Sequence, residues 1–206
     1  KTPGVFPLVV SGDGWTELFK KLGADVVSGG QSMNPSVQEL SSGMDNGQYE
    51  KYIILPNNKN IILAAQQLQK MMGEKVHIVP STNPMEGLAA AMAFSEDNTL
   101  EENLAAMKER MGDIATAMIT TAVRDSIVGE TVIHKDDFMG IMKNHEVIAE
   151  KDFTKCFLDV LSHLITEDTE IVTIYSGKDL SEEDCLKEID KAEKKYPDVT
   201  FETYRG

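Results

Sequence analysis

At 206 residues, 41% apolar and 26% charged, the chain is long enough to bury one large core or two modest ones. Its net charge of -14, from 34 acidic against 20 basic residues, excludes nucleic acid as a natural partner and disfavours an anionic membrane surface. No run approaches the roughly 20 apolar residues of a membrane span, no signal peptide is visible, and Cys156 and Cys185 are too few for a disulfide scaffold, which points to a reduced, cytoplasmic setting.

The first ninety or so residues repeat one pattern of short apolar run, polar loop and helix. Leu8 to Val10 leads into Ser11-Gly12-Asp13-Gly14, then Trp15, Leu18, Phe19 and Leu22 at helical spacing. Ala24 to Val27 leads into the glycine-led loop Gly29-Gly30-Gln31-Ser32-Met33-Asn34-Pro35-Ser36, where Ser36 and Glu39 stand at capping-box spacing. Tyr52 to Leu55 leads into Pro56-Asn57-Asn58-Lys59-Asn60, and Ile61, Ala64, Ala65, Leu68 and Met72 form one helical face. Val76 to Val79 leads into Pro80-Ser81-Thr82, with Asn83 as N-cap, Pro84 at the first helical position and Glu86 beyond it. Four such units predict an α/β fold, a parallel sheet with helices on both faces. All four loops then emerge at one edge, the carboxyl ends of the strands, where open α/β sheets bind ligands.

The second half reads differently. Glu96 to Asn98 is a polar break, and Thr99 with Glu102 makes a second capping box ahead of the stripe Leu100, Leu104, Met107 and Met111. Ile114 to Val123 and Thr131 to His134 predict strands, and Asp137 to Met142 a short helix. Phe153, Phe157, Val160, Leu161 and Leu164 mark an amphipathic helix. Ile171 to Tyr175 is a strand, Ser181 and Asp184 open a helix through Leu186 and Ile189, and Val199 to Tyr204 is a last strand. The expected organisation is a parallel α/β lobe over residues 1–94 and a mixed α/β lobe over 95–206. Lys1 and Arg205-Gly206 read as the ends of an excised fragment.

Candidate chemistry is sparse. His77, His134, His145 and His163 show no metal-ligand spacing and no cysteine partner, so no metal site is assigned. Ser11-Gly12-Asp13-Gly14 is neither a Walker loop nor G-x-G-x-x-G, and Asp13 repels an anion, so it reads as a tight turn. Glu182-Glu183-Asp184 suits the first turn of a helix. The candidates for recognition are Asp13 in the first of the four loops, and the two amide-rich loops with Gln31, Ser32, Met33 and Asn34 in one and Asn57, Asn58 and Asn60 in the other. Carboxamides both donate and accept, as ligand clamps and folded loops both require. Neither loop supplies a nucleophile with a base, so no catalytic residue is assigned.

Val9-Val10-Ser11-Gly12-Asp13-Gly14, Phe19-Lys20-Lys21-Leu22-Gly23-Ala24-Asp25, the Gly29 to Ser36 loop and Leu55-Pro56-Asn57-Asn58-Lys59-Asn60-Ile61 resemble the carboxyl-terminal region of the YloV-like (FakA) proteins. These are the ATP-dependent subunits of bacterial fatty acid kinase, with a dihydroxyacetone-kinase-like amino-terminal domain. The resemblance covers essentially the whole chain. It implies a two-lobed, DegV-like fold and a full-length parent that phosphorylates the carboxylate of a fatty acid held by a separate DegV-like subunit. It also implies no cofactor in this region, since ATP and magnesium belong to the amino-terminal domain. In DegV-type lipid binders a Thr/Ser-Gln-Pro-Ser loop holds the fatty-acid carboxylate. The comparable stretch here, Gln31 to Ser36, carries Met33-Asn34 as an insertion.

Three functional expectations follow. The first is a non-catalytic domain that docks the fatty-acid-binding subunit, with a homodimer of the full-length protein left open. The second is a small-ligand or fatty-acid-binding module. The third is a hydrolase or transferase using Ser32 or Ser36.

Overall fold

The computed structural model describes residues 4–10, 13–28, 36–42, 44 and 49–206. The chain forms two compact units, Lys1–Ile114 and Ala115–Gly206.

In the first unit the chain order is β1 Gly4–Val10, α1 Asp13–Lys21, β2 Val27–Ser28, α2 Val37–Ser42, β3 Tyr52–Leu55, α3 Lys59–Met72, β4 Val76–Ile78, α4 Pro84–Met92 and α5 Leu100–Asp113. The strands run in the order β2-β1-β3-β4 and every pair is parallel. The repeated strand–helix pattern requires this, because parallel neighbours need a crossover long enough to be a helix. All four residues of β3 are buried, the burial expected of a strand covered on both faces. Successive side chains of a strand point to opposite faces. On one face Tyr52 and Ile54 pack with Leu40 of α2, Ile61, Ala65 and Leu68 of α3, and Val76 of β4. On the other, Ile53 and Leu55 are fully buried on the side of α1 and α4, which touch each other and β1. Each such aliphatic contributes about 1.5–3 kcal/mol by leaving water.

The helix caps follow the local sequence. Thr99 and Glu102 form the expected box at the start of α5: Thr99 N–H donates to Glu102 Oε2 at 2.7 Å, and Glu102 N–H to Thr99 Oγ1 at 3.2 Å. Fully buried Asn103 accepts from Ser95 N–H and donates to Ser95 O, both at 2.9 Å, which ties the polar turn at residues 95–98 to α5. Through that tie and its packing on α4, α5 belongs to the first unit.

The second unit comprises β5 Ala117–Thr121, β6 Ser126–Val128, β7 Thr131–Ile133, β8 Phe138–Met142, β9 Val147–Glu150, α6 Phe153–Leu164, β10 Ile171–Ser176, α7 Glu182–Lys195 and β11 Thr200–Arg205. It is mixed: β5-β8-β9 is antiparallel, β6-β7 is a hairpin, and β10-β11 is a parallel pair joined through α7. Helix α6 serves two sheets. Cys156 and Val160 pack with Met142, and Phe157 and Leu161 with Ala192, Val172, Ile174 and Phe201.

One element reverses the expectation from sequence. Residues 138–142 are the central strand β8, not a helix. The run Phe-Met-Gly-Ile-Met lacks alternation because both faces of β8 are largely covered, and periodicity cannot separate that case from a helix turn. Gly140 lies directly under α6, where a methyl group would overlap the Val160 side chain. Strand β9, which the sequence reading did not anticipate, follows a turn made by His145 at φ 70°.

Candidate functional site

The candidate site lies at the carboxyl ends of β3 and β4. Open α/β sheets bind ligands outside the carboxyl ends of their strands, and β3 and β4 are neighbours in this sheet. After β3, Pro56 removes a backbone donor and Asn57 turns the chain with φ 57°, a left-handed conformation that asparagine tolerates better than most residues. Asn57 is 2% exposed and Ser81 is fully buried. Asn57 N–H donates to Ser81 Oγ at 3.0 Å, and the Ser81 hydroxyl donates to Asn57 Oδ1 at 2.7 Å. This reciprocal pair joins two loops 24 residues apart in sequence. The carboxamide lies against Gly87 in α4, where a methyl group would collide with it. Among the described residues Asn57 Nδ2 is buried with no hydrogen-bond partner, an arrangement that costs about 1–3 kcal/mol.

The neighbouring amides act locally. Asn58 caps α3, its Oδ1 accepting Asn60 N–H at 2.9 Å, while the Asn60 side chain lies on the surface. Lys59 is exposed at the first position of the same helix. At α4, Asn83 is the cap and Pro84 the first residue, as the sequence indicates, with Asn83 Oδ1 accepting Glu86 N–H at 2.9 Å. Glu86 is 3% exposed and its Oε2 accepts from Thr82 N–H at 2.7 Å and Thr82 Oγ1 at 2.8 Å. These charge-assisted bonds offset the burial of its carboxylate.

Of the recognition residues expected from sequence, Asn57 turns the chain after β3, Asn58 caps α3, and Asn60 lies in the first turn of α3. Asp13 is the first residue of α1. Gln31, Ser32, Met33 and Asn34 lie outside the described residues. Ser36 is described and serves as a cap. Its N–H and hydroxyl donate to Glu39 Oε2 at 2.7 and 3.0 Å, and Glu39 N–H donates to its Oγ at 3.2 Å. Bonds from the Ser36 backbone and then its hydroxyl hold the Glu39 carboxyl below its usual range. Ser81 and Gly87 were not anticipated; a glycine inside a helical pattern was the available signal.

Elsewhere the titratable groups are engaged locally. His163 Nδ1 meets Asp159 O at 2.8 Å and His77 Nε2 meets Glu74 O at 2.9 Å. Burial pushes the Cys156 thiol up to about 11. Burial, with Tyr204 and Glu202 nearby, pushes Tyr175 up to about 12. Among the described residues no three His, Cys, Asp or Glu side chains converge as metal ligands, and no helix is long and apolar enough to cross a membrane.

Residues 5–206 match the FakA-like C-terminal family of fatty acid kinase. An uncharacterized protein of Staphylococcus aureus strain USA300 is 34% identical over 196 residues, covering 95% of this chain and 36% of its own length. Another, from Staphylococcus epidermidis, is 35% identical with the same coverage. The chain thus spans 36% of the length of the curated relatives it matches. A DegV family protein of Corynebacterium glutamicum, known from a crystal structure, shares the fold with a TM-score of 0.69 over 100% of this chain and 91% of that one, at 12% identity.

Proposed function

The chain belongs to the FakA-like C-terminal family of fatty acid kinase, and on that premise we propose that it is the non-catalytic region through which a fatty acid kinase docks its fatty-acid-binding, DegV-like partner subunit. The family match over residues 5–206 carries the reading, and the DegV-type fold supports it. Docking uses the loop edge of the first unit and the acidic surface implied by the net charge of -14. Transfer of phosphate from ATP to the fatty-acid carboxylate, with magnesium, is the work of the part of the protein outside this chain. Kinase assays at varied concentrations of the acyl-loaded partner test the reading. Removing residues 1–206 from the parent raises KM for the partner at least ~10-fold, about 1.4 kcal/mol of lost binding; an unchanged KM overturns it.

A second reading, a small-ligand or fatty-acid-binding module, is favoured by one observation: the unpartnered, buried Asn57 amide at the strand-end edge. Mass spectrometry of organic extracts from purified protein tests it, and recovery of no acyl chain removes the lipid ligand.

A further inference from the structure

We propose that the outer face of the β6–β7 hairpin is an apolar docking surface for the acyl-carrying, DegV-like subunit, with Ile127 and Val132 at its centre. The inference rests on the docking reading above and gives that partner a further contact in the second unit. Ile127 and Val132 stand directly opposite each other in the ladder. Successive strand residues face opposite ways, and the inner side is held down: Ile133 is buried, and the Thr131 hydroxyl donates to Val147 O at 3.2 Å. Ile127 and Val132 therefore face outward, 71% and 56% exposed, and Val123 at the root of the hairpin is 84% exposed. At that root Ala122 N–H donates to Asp137 O and Asp136 N–H to Ala122 O, both at 2.8 Å, and Lys135 N–H donates to Asp125 Oδ1 at 2.7 Å. These bonds fix the backbone on both sides of Val123, so the surface is built before a partner arrives.

The fold itself does not call for apolar groups here. Threonine is also β-branched and meets the strand preference while facing water. Single exposed apolar residues need no explanation, but a cluster does. Ile127, Val132 and Val123 leave on the order of 300 Å² in water along one hairpin and its root, the scale of patch that on a monomer is often functional. Being stiff at χ1, they lose little side-chain freedom on docking. The rim is of mixed sign, with Arg124 and Lys135 beside Asp125, Glu130 and Asp136, all exposed, so contact here is apolar rather than charged. Area selects the occupant. A lasting complex, such as a dimer of this chain, buries about 800 Å² on each partner, more than twice what the hairpin offers. A carrier that leaves after each transfer needs less, and beside an acidic docking surface the hairpin has only to supply an apolar centre.

The experiment is a kinase assay on the full-length parent at varied concentrations of the DegV-like subunit loaded with palmitic acid. The double variant Ile127→Thr, Val132→Thr keeps β-branching in the hairpin. It should raise KM for the partner at least ~5-fold, leave kcat unchanged, and do so by the same factor at low and high salt. Val123→Thr, outside the ladder, moves KM the same way and guards against a folding artefact. Ile127→Val with Val132→Ile preserves the apolar area and leaves KM as it was. So does Met71→Thr, which removes an apolar side chain 75% exposed near the carboxyl end of α3. A KM unmoved by the threonine variants but raised by removal of residues 1–206 overturns this surface and leaves the docking reading. A KM unmoved by either change overturns both. A threonine variant that alters the parent's sedimentation, or its pelleting with phosphatidylglycerol vesicles, while KM stays fixed gives the face to a second copy or to lipid and overturns the assignment.

Discussion

The Ser81 hydroxyl and the Asn57 carboxamide hold each other across the ends of two neighbouring strands, through bonds of 2.7 and 3.0 Å sealed from water. Removing the hydroxyl strands both Asn57 N–H and Asn57 Oδ1. Ser81→Ala should therefore destabilise the chain by about 2–4 kcal/mol, more than one exposed hydrogen bond is worth. Urea unfolding of the full chain measures it, and a loss under about 0.5 kcal/mol would show that the pair does not hold the edge together.

Gly87 is the floor on which that pair rests. Alanine favours a helix interior over glycine by about 1 kcal/mol, yet a methyl group here collides with the Asn57 carboxamide. Gly87→Ala is expected to destabilise by roughly 1–3 kcal/mol despite its propensity gain. Combining it with Asn57→Gly should recover most of that loss. Additive effects in a double-mutant cycle would count against the contact.

The same logic applies in the second unit. Gly140 sits beneath Val160, with Cys156 beside it. Gly140→Ala pushes α6 away from β8 and should cost roughly 1–3 kcal/mol, with Val160→Ala as the compensating change. Thermal unfolding of the single and double variants decides it: a Gly140→Ala protein as stable as the parent chain means that α6 does not press on β8 here.

Three exposed carboxylates at helix starts give a pH signature of known sign. Glu39, Glu102 and Asp184 are held below their usual range by hydrogen bonds from Ser36, Thr99 and Ser181. A carboxyl whose folded pKa is depressed stabilises the fold above its unfolded pKa, about 4. That contribution fades as pH falls through the folded value. Glu102→Gln should therefore lower stability at pH 7 and flatten its decline between about pH 5 and pH 3. Parallel stability–pH curves for the variant and the parent chain would refute the coupling.

Burial keeps Cys156 at about 11, and Cys185 is also buried. Only about one Cys156 in a thousand is thiolate at pH 8, and that fraction is shielded. Neither thiol should react with iodoacetamide within an hour at pH 8, and both should react in urea. Rapid labelling of the native chain would contradict the packing around α6.

Local rules are legible in the sequence. The Ser36–Glu39 and Thr99–Glu102 boxes, the Asn83-Pro84 start of α4 and the alternation of apolar runs with helical stripes are all written in neighbouring residues. Elements fixed by tertiary contact are not. Residues 138–142 form a strand because β5 and β9 pair with them and α6 covers them, none of which shows in five consecutive residues. The bond from Asn103 back to Ser95 spans the polar break at residues 96–98, a tie that no stretch of neighbouring residues announces. At the candidate site, the amide-rich loop after β3 stood out, but its partners did not. Ser81 and Gly87 meet Asn57 only because β3 and β4 are neighbours in the sheet.

Docking of the fatty-acid-binding subunit is the central claim, and direct binding tests it most simply. Acyl-loaded DegV-like partner is titrated by calorimetry into the full-length parent, and separately into the parent lacking residues 1–206. The account predicts measurable affinity for the first, falling as salt is raised because the acidic surface takes part, and at least ~10-fold weaker binding for the second. Equal affinity in the two titrations would contradict it.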